Sequence, residues 1–161
     1  MKDVVDQMLG QWSDQRPELD TASLGVVVRV MNLYRSFQRQ ADRALAPLGL
    51  ELFEYDVLSA LRRQGGSFEL AASALAYQTG LSTGAMTNRV DRLEARGLVR
   101  RRHDKVDRRA VMVSLTAKGK RAIDEAIQLR LTAADDALDG LSDNERSRLA
   151  DLLRKVVLSV N

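Results

Sequence analysis

The side chains that most often carry out chemistry are scarce in this sequence. It contains no cysteine and a single histidine, His103. Disulfides, thiolate nucleophiles and Cys-ligated zinc are therefore excluded, and neither a His-based metal site nor a Ser-His relay is expected. With no phosphate-binding loop and no metal-ligand cluster in the sequence, we predict that the chain is not an enzyme and uses no metal or cofactor.

Positive charge is concentrated in and just before the stretch HDKVDRRAVMV, residues 103–113. The basic side chains are Arg100–Arg102, Lys105, Arg108 and Arg109. β-prone residues lie on both sides of the cluster, at 98–99 and 110–115, which predicts a hairpin with a charged tip. Because like charges on a short loop repel each other, a negative partner is expected to sit against this hairpin.

The overall composition is that of an ordinary folded protein. The chain has 161 residues, of which 45% are hydrophobic and 29% charged, and this suits one domain with a sizeable core rather than a disordered or membrane chain. Residues 1–12 lack the apolar run of a signal peptide, and no stretch approaches the length of a membrane span. We therefore expect a single domain over 1–161 that works in the cytoplasm without a membrane partner.

Hydrophobic periodicity predicts a mostly helical chain. The predicted helices lie at about 3–12, at 24–45, at 52–63, within 67–80, between Ser82 and Gly97, at 116–138 and at 142–160. The last helix carries a stripe of leucine and valine that no remaining part of the chain is left to cover. Such a stripe is expected to contact a second chain.

The stretch LSTGAMTNRVDRLEARGLV, residues 81–99, is the most informative. Ser82 or Thr83 can cap a helix, and Gly97 can end it in the left-handed conformation. At about 100° per residue, one face is apolar (Met86, Val90 and Leu93) and the opposite face carries Gly84, Asn88, Asp91, Arg92 and Ala95. The outer face is small at its start and rich in hydrogen-bonding groups, so it suits DNA base edges and phosphates.

Two helices joined by a short turn at YQTGLS and followed by a two-stranded ribbon form a winged helix-turn-helix. The predicted fold class is therefore mostly α, with the winged helix-turn-helix at about 52–115. The helices at about 1–48 and 116–161 flank it and are predicted to mediate dimerisation.

The stretches LSTGAMTNRVDRLEARGLVRR and DKVDRRAVMVSLTAKGK resemble the MarR family of bacterial transcription regulators. The second is similar to the family's wing signature, Asp-Arg-Arg followed by a strand ending in Leu-Thr and then a Lys-Gly, and the resemblance spans nearly the whole chain. It implies a homodimer held by its terminal helices. Each subunit would place its recognition helix in a major groove of a pseudo-palindromic double-stranded operator.

By this resemblance, the negative partner of the charged hairpin is DNA phosphate. Arg109 would enter the minor groove with Asp107 holding it in place, and Arg108 would lie near the DNA backbone. The helix would contribute Ser82, Thr83, Thr87, Asn88 and Arg92. Asp91 is expected to be structural and paired with Arg92 or a neighbouring arginine. The alternative interpretations are a solvated charged loop and an ordinary exposed helix.

Four further residues, Trp12, Asp56, Arg63 and Arg89, match the urate-responsive branch of the MarR family in order and, from Asp56 to Arg89, in spacing. Taken alone, Trp12 suggests a packing anchor and Arg89 a phosphate contact. Asp56 and Arg63 taken alone suggest surface charges. Together they imply that Arg63 and Arg89 hold an anionic ligand, that Trp12 lines the pocket and that ligand charge displaces Asp56. The effector is then a small anionic aromatic molecule, with urate or a related purine and another aromatic or organic acid both left open.

The leading functional prediction is a dimeric, ligand-responsive DNA-binding regulator, a repressor that its ligand releases from the operator. The alternative is a winged-helix interaction module that binds protein without specific DNA binding. Basic residues at both the helix and the hairpin favour the regulator, since a protein-binding derivative has no need of both. The absence of cysteine excludes thiol-based peroxide sensing.

Overall fold

The computed structural model of the chain describes residues 2–104, 107 and 110–160. Its helices are α1 (Val4–Gln15), α2 (Ala22–Leu45), α3 (Leu52–Arg62), α4 (Ala72–Gln78), α5 (Thr83–Ala95), α6 (Ala117–Ala137) and α7 (Asp143–Val160). Its strands are β1 (Glu69–Ala71), β2 (Val99–His103) and β3 (Val111–Leu115). This confirms the predicted mostly helical, winged helix-turn-helix fold.

The chain forms two compact units, Met1–Gln40 and Ala41–Asn161, with the boundary inside α2. The single domain expected from the sequence stays a prediction. A 3-10 turn, Ala46–Leu48, follows α2, and Gly49 ends it at φ 60. The helix thus stops where Pro47 and Gly49 predicted, because proline lacks a backbone donor and glycine accepts the left-handed conformation.

In the first unit, charged residues fasten α1 to α2. Asp3 caps α1 by accepting from the Asp6 amide at 2.8 Å, and Asp6 accepts from the Asp3 amide at 2.9 Å. The Arg29 guanidinium of α2 donates to Asp3 at 2.8 Å and to Asp6 at 2.6 Å. Large apolar side chains of α2 within this unit are nevertheless exposed: Leu24, Val26, Val27, Val30, Met31, Leu33, Tyr34 and Phe37.

The core of the second unit is assembled from one face each of α3, α4, α5 and α6. The fully buried side chains include Val57, Leu58 and Leu61 of α3, Met86, Val90 and Leu93 of α5, and Ile123 of α6. The α5 residues are the three predicted to face inward, and Gly84, Asn88, Asp91, Arg92 and Ala95 are exposed as predicted. A helical period of 3.6 residues therefore describes α5 along its whole length.

The sheet corrects the two-stranded ribbon expected from the sequence. It has three antiparallel strands in the order β1-β3-β2, with Leu70 and Arg101 both opposite Val113. Glu69–Ala71 was predicted as helix because Glu, Leu and Ala are good helix formers. Three residues are too short to show the alternation of a strand, and pairing with β3 outweighs their local preference.

The start of α6 packs directly on the backbone that precedes β2. The Thr116 hydroxyl oxygen accepts from the Gly119 amide at 3.0 Å and caps the helix, while the hydroxyl donates to the Gly97 carbonyl at 2.8 Å. A Cβ atom on Gly119 would lie 1.9 Å from the Leu98 carbonyl oxygen. This contact gives a physical reason for the Lys-Gly that follows the second β-strand of the wing.

The apolar stripe of α7 is uncovered within the second unit. Leu152, Leu153, Val156, Val157 and Leu158 are between 42% and 74% exposed. The N-terminal end of α7 is anchored locally, since the Glu145 carboxylate accepts from the Ser142 amide at 2.9 Å and from its hydroxyl at 2.6 Å. Among the residues that the structure describes, no helix combines the length and apolar character needed to span a membrane.

We predict that Gly119→Ala lowers the free energy of unfolding by about 1–3 kcal/mol, because the added methyl group forces α6 away from the Leu98 carbonyl. Gly10→Ala is the matched control: Gly10 lies in α1 with no atom within 4 Å of a Cβ, so a gain of about 0.5–1 kcal/mol is expected. Urea unfolding at one fixed protein concentration measures both. Equal midpoints for the two variants would contradict the close packing at Gly119.

Candidate functional site

The helix-turn-helix consists of α4 and α5 and the turn between them. Gly80 takes φ 66 in this turn, and the Leu81 amide donates to the Ala76 carbonyl at 2.9 Å. Ser82 then caps α5, its hydroxyl oxygen accepting from the Ala85 amide at 3.3 Å. The turn and cap satisfy backbone groups that would otherwise be orphaned at the helix ends.

The outer face of α5 presents polar side chains at its first two turns. Ser82, Thr83, Thr87 and Asn88 are all exposed. The Thr87 hydroxyl donates back to the Thr83 carbonyl at 3.0 Å, which leaves its oxygen lone pairs outward as acceptors. Small and hydroxyl-bearing side chains at the start of an exposed helix allow a close approach to a nucleic-acid groove.

Three arginines, Arg89 and Arg92 of α5 and Arg96 at its C-cap, form a stripe that turns toward α3. The Arg89 and Arg92 guanidinium carbons lie 4.6 and 4.8 Å from the centre of the Phe53 ring. Arg92 also donates to Glu51 at 2.5 Å. The Arg92 side chain, which was predicted to contact DNA, is therefore held at the start of α3 in this structure. Its DNA contact stays a prediction.

The third arginine of the stripe pairs with a buried carboxylate. Arg96 Nη1 lies 2.5 Å from Glu54 Oε2, and the Glu54 side chain is only 1% exposed. The same oxygen accepts from the Glu51 amide at 3.1 Å. Glu54 Oε1 is buried and has no hydrogen-bond partner within the part of the chain that the structure describes. A buried carboxylate needs such compensation, so this pair fixes the end of α5 against the start of α3.

The base of the charged hairpin is neutralised within the protein. Arg101 Nη1 lies 2.5 Å from Asp91 Oδ1, and its Nη2 donates to the Thr87 carbonyl at 3.1 Å. Arg102 pairs with Glu69 of β1 at 2.5 Å. Arg101 and Arg102 thus have carboxylate partners within the protein, and the expectation that DNA phosphate is the negative partner of the charged hairpin stays a prediction. Asp91 pairs with a neighbouring arginine, as expected, and that arginine is Arg101.

The tip of the hairpin is described only in part. Asp107 accepts, through its carbonyl, from the Ala110 amide at 2.9 Å, and its own amide donates to the Asp104 carboxylate at 3.0 Å. Arg108 and Arg109, the residues predicted to contact the DNA backbone and the minor groove, lie outside the described residues. The predicted role of Asp107 in holding Arg109 stays a prediction.

Three of the four residues predicted to bind an effector lie together in the second unit. Asp56 is exposed as a whole residue, yet partial desolvation of its carboxyl group raises its pKa above the ordinary value of 3.8. The positive charges of Arg89, Arg130 and Arg63 oppose that rise. Arg63 Nη1 also donates to the Ser59 hydroxyl at 3.3 Å. The fourth residue, Trp12, lies in α1 of the first unit and is 44% exposed.

Arg130 of α6 was missed by sequence reasoning. It follows the buried residues Ile123 and Ala126 at the spacing of one helical face, and that inward position in an otherwise apolar stripe is the signal that could have found it. Its guanidinium carbon lies 5.8 Å from the centre of the Tyr55 ring. No group of three or more acidic or histidine residues that could hold a metal occurs among the described residues.

A helix-turn-helix beside a three-stranded sheet, with an exposed polar helix face, defines a winged helix-turn-helix protein. A model of the MarR family matches residues 48–110. PecS, an HTH-type transcriptional regulator of Dickeya dadantii (strain 3937), is 29% identical over 152 residues, covering 94% of this chain and 92% of PecS. YwaE, an uncharacterized HTH-type transcriptional regulator of Bacillus subtilis (strain 168), is 30% identical over 142 residues, covering 86% of this chain and 81% of YwaE.

Among solved structures, that of BpsR from Bordetella bronchiseptica matches with a TM-score of 0.72 at 27% identity, over 84% of this chain and 98% of BpsR. The chain therefore belongs to the MarR family and is a DNA-binding transcription regulator.

The pKa values of two aspartates, Asp56 and Asp3, are shifted in opposite directions, so the two residues should affect stability oppositely as the pH changes. The pKa of Asp56 in the folded protein lies above 3.8. The stabilisation that its protonated carboxyl group contributes is therefore complete below pH 3.8 and is lost as the pH rises through the folded-state pKa. The hydrogen bond from Arg29 lowers the pKa of Asp3 to about 2, so its contribution is present above 3.8 and is lost as the pH falls toward 2.

Carboxyl NMR titration measures both pKa values, and urea unfolding of Asp56→Asn and Asp3→Asn across pH 2–7 measures the stability differences. As the pH rises, wild type should lose stability relative to Asp56→Asn and gain it relative to Asp3→Asn. A pKa for Asp56 at or below 3.8 contradicts the partial desolvation of its carboxyl group.

Proposed function

We propose that the protein is a homodimeric repressor that a small anionic aromatic or purine ligand releases from a pseudo-palindromic operator. The observation that supports this most directly is the position of Arg89. This residue belongs to α5, the proposed DNA-recognition helix, and it lies close to the Asp56 carboxylate, on which Arg63 and Arg130 also act. Its guanidinium stacks on Phe53 of α3 and its charge acts on Asp56. A ligand that takes Arg89 from these partners therefore acts on α5 directly. The place of action is the cytoplasm, where an operator is accessible.

Dimerisation through the terminal helices is supported by their exposed apolar side chains. In α2, Val26, Val27 and Tyr34 are more than half exposed, and in α7 so are Val156 and Val157. Isolated subunits rarely leave rows of such side chains in water, since burying them against a second copy is favourable. Two-fold symmetry then presents two recognition helices to half-sites about 10 base pairs apart.

DNA contact is assigned to the outer face of α5 and the wing tip. Ser82, Thr83, Thr87 and Asn88 would reach base edges and phosphates, with Arg108 at the backbone and Arg109 in the minor groove. Arg92 would exchange Glu51 for DNA, because a phosphate competes well for a guanidinium whose present partner is exposed. Arg101 would hold α5 and the wing in register through Asp91.

Within the second unit, the effector site is assigned to Asp56, Arg63 and Arg89, with the two arginines holding the anion and Asp56 displaced by ligand charge. The role of Trp12, which lies in the first unit, stays a prediction from the sequence. The related BpsR is regulated in its DNA binding by 6-hydroxynicotinic acid, which is itself a small aromatic acid. That chemistry suits a pair of guanidinium groups. Urate and related purines are one candidate class, and aromatic or organic acids are the other.

The operator assignment predicts distinct effects for three substitutions. Asn88→Ala and Arg92→Ala should each weaken operator binding by about 1–3 kcal/mol while binding to random DNA changes less, because a base contact is lost. Arg109→Ala should weaken operator binding and leave the dimer intact. These affinities can be measured by fluorescence anisotropy at several salt concentrations, with the DNA upstream of the protein's own gene as the labelled probe.

Arg148→Ala, an exposed position of α7, is the matched control and should bind like the parent. Inserting about five base pairs between half-sites should abolish dimer binding, since the recognition helices then face opposite sides of the duplex. Absent or salt-insensitive binding would overturn the repressor and favour a protein-interaction module.

The effector assignment predicts ligand-induced release of DNA. Titrating the protein–operator complex with urate, xanthine, salicylate and indole-acetate should release DNA with at least one of them. Arg63→Ala and Arg89→Ala should raise the ligand concentration needed by about tenfold or more, as expected for losing a charged hydrogen bond. If all four ligands leave the complex intact, or both variants respond like wild type, the effector site is wrongly placed.

A further inference from the structure

The cluster around Asp56 contains more positive charge than the effector site proposed above requires. Three guanidinium groups act on this one carboxylate: Arg63 at the end of α3, Arg89 of α5 and Arg130 of α6. Their formal charges sum to a surplus of two over the Asp56 carboxylate. One monoanionic group bound by Arg63 and Arg89 would leave Arg130 without a function in the site.

The Arg130 guanidinium group has a buried hydrogen-bond donor that could bind a further acceptor. Its Nε is buried and has no hydrogen-bond partner among residues 2–104, 107 and 110–160. Its guanidinium carbon lies 5.8 Å from the centre of the Tyr55 ring, so the guanidinium group faces an aromatic ring. Buried polar groups in proteins are nearly always hydrogen-bonded, and an unpaired guanidinium nitrogen is a strong donor for an anionic oxygen.

The arginines approach α3 from two sides. At about 100° per residue, the side chains around α3 follow the order Tyr55, Ser59, Arg63, Asp56 and Phe53. Arg130 lies over Tyr55 at one end of this series, and Arg89 lies over Phe53 at the other. Asp56 and Arg63 occupy the middle. A ligand lying across Asp56 therefore meets guanidinium groups at both of its ends.

We propose that Arg130 is a third ligand-holding arginine and that the effector carries two separated acceptor groups, one held by Arg63 and Arg89 and the other by Arg130. This rests on the effector site proposed above and narrows its ligand class. An aromatic ring with two carboxylate or carbonyl groups fits the site, and one with a single carboxylate uses only half of it. Arg130 thus determines specificity between these two kinds of ligand.

The test compares isophthalate, which carries two carboxylates, with benzoate, which carries one, by isothermal calorimetry on the full-length protein. Wild type should bind isophthalate about tenfold or more tightly than benzoate, the gain expected from one further charged hydrogen bond. Arg130→Gln should weaken isophthalate by about that factor and leave benzoate within about twofold. Arg121→Gln, an exposed position on the same helix, removes the same charge and should change neither affinity.

Arg63→Gln separates this inference from the site on which it rests, since it should weaken both ligands. If Arg63→Gln does so while Arg130→Gln leaves the isophthalate preference intact, the effector site stands and the role of Arg130 is overturned. Equal weakening of both ligands by Arg130→Gln also overturns it, because a general charge effect then suffices. If wild type binds neither ligand, the role proposed for Arg130 is overturned, while the effector site itself is decided by the release of operator DNA with urate, xanthine, salicylate and indole-acetate.

A second variant, Arg130→Lys, keeps the charge and the aliphatic stem, so the test survives if the glutamine variant does not fold. Lysine lacks the planar fork of donors, and the isophthalate preference should therefore fall below that of wild type. An isophthalate preference in Arg130→Lys equal to that of wild type would exclude Arg130 from the site, whether or not Arg130→Gln folds.

Discussion

The contact between α3 and α5 is the interaction on which the DNA-binding unit depends. Phe53 lies beneath two guanidinium groups of α5, those of Arg89 and Arg92, and Glu54 holds a third, that of Arg96. Helix α5 must expose a polar face to read DNA, so its position cannot rest on apolar burial around its whole circumference. The arginine stripe supplies the remaining restraint, because stacked and paired guanidinium groups combine packing with directed hydrogen bonds.

That restraint gives the proposed regulation a physical route. Arg89 belongs both to the stripe that positions α5 and to the charges acting on Asp56. A ligand shifts a conformational equilibrium only by its differential affinity for the two states. An anion bound by Arg89, as proposed, would change the partners of a side chain that stacks on Phe53. The affinities for ligand and operator would then be coupled, and the coupling would be reciprocal.

Sequence reasoning predicted the local features well. The inward face of α5, its serine cap and the left-handed Gly97 all follow from short-range rules, because helical period and cap chemistry act within a few residues. β1 was missed because its stability comes from pairing with β3, more than forty positions along the chain, as in the register of Leu70 with Val113. Only the folded chain brings that partner within reach.

Side-chain partners were harder to predict than helices for the same reason. Nothing local distinguishes Arg101, which binds Asp91, from the neighbouring Arg100, which donates to Ser114 at 3.1 Å. The difference arises from strand alternation combined with the packing of β2 on α5. The proposed role of Arg130 likewise depends on Tyr55 and Asp56, which lie on another helix and approach it only in the folded chain. The positions of Arg108 and Arg109 lie outside the described residues, so the proposed wing-tip contacts still rest on the sequence.

The pairing within the wing also changes how its charge should be understood. Arg101 and Arg102 are matched by Asp91 and Glu69, so the base of the hairpin is a structural element that orients the wing on α5 and β1. Under the proposed function, attraction for DNA would then rest mainly on the basic residues nearer the tip and on arginines released from protein partners, as proposed for Arg92. Neutralising the base internally keeps it from competing for phosphate. A hairpin built this way would present a small number of positive charges to DNA, while ion pairs from β2 hold the hairpin against α5 and β1.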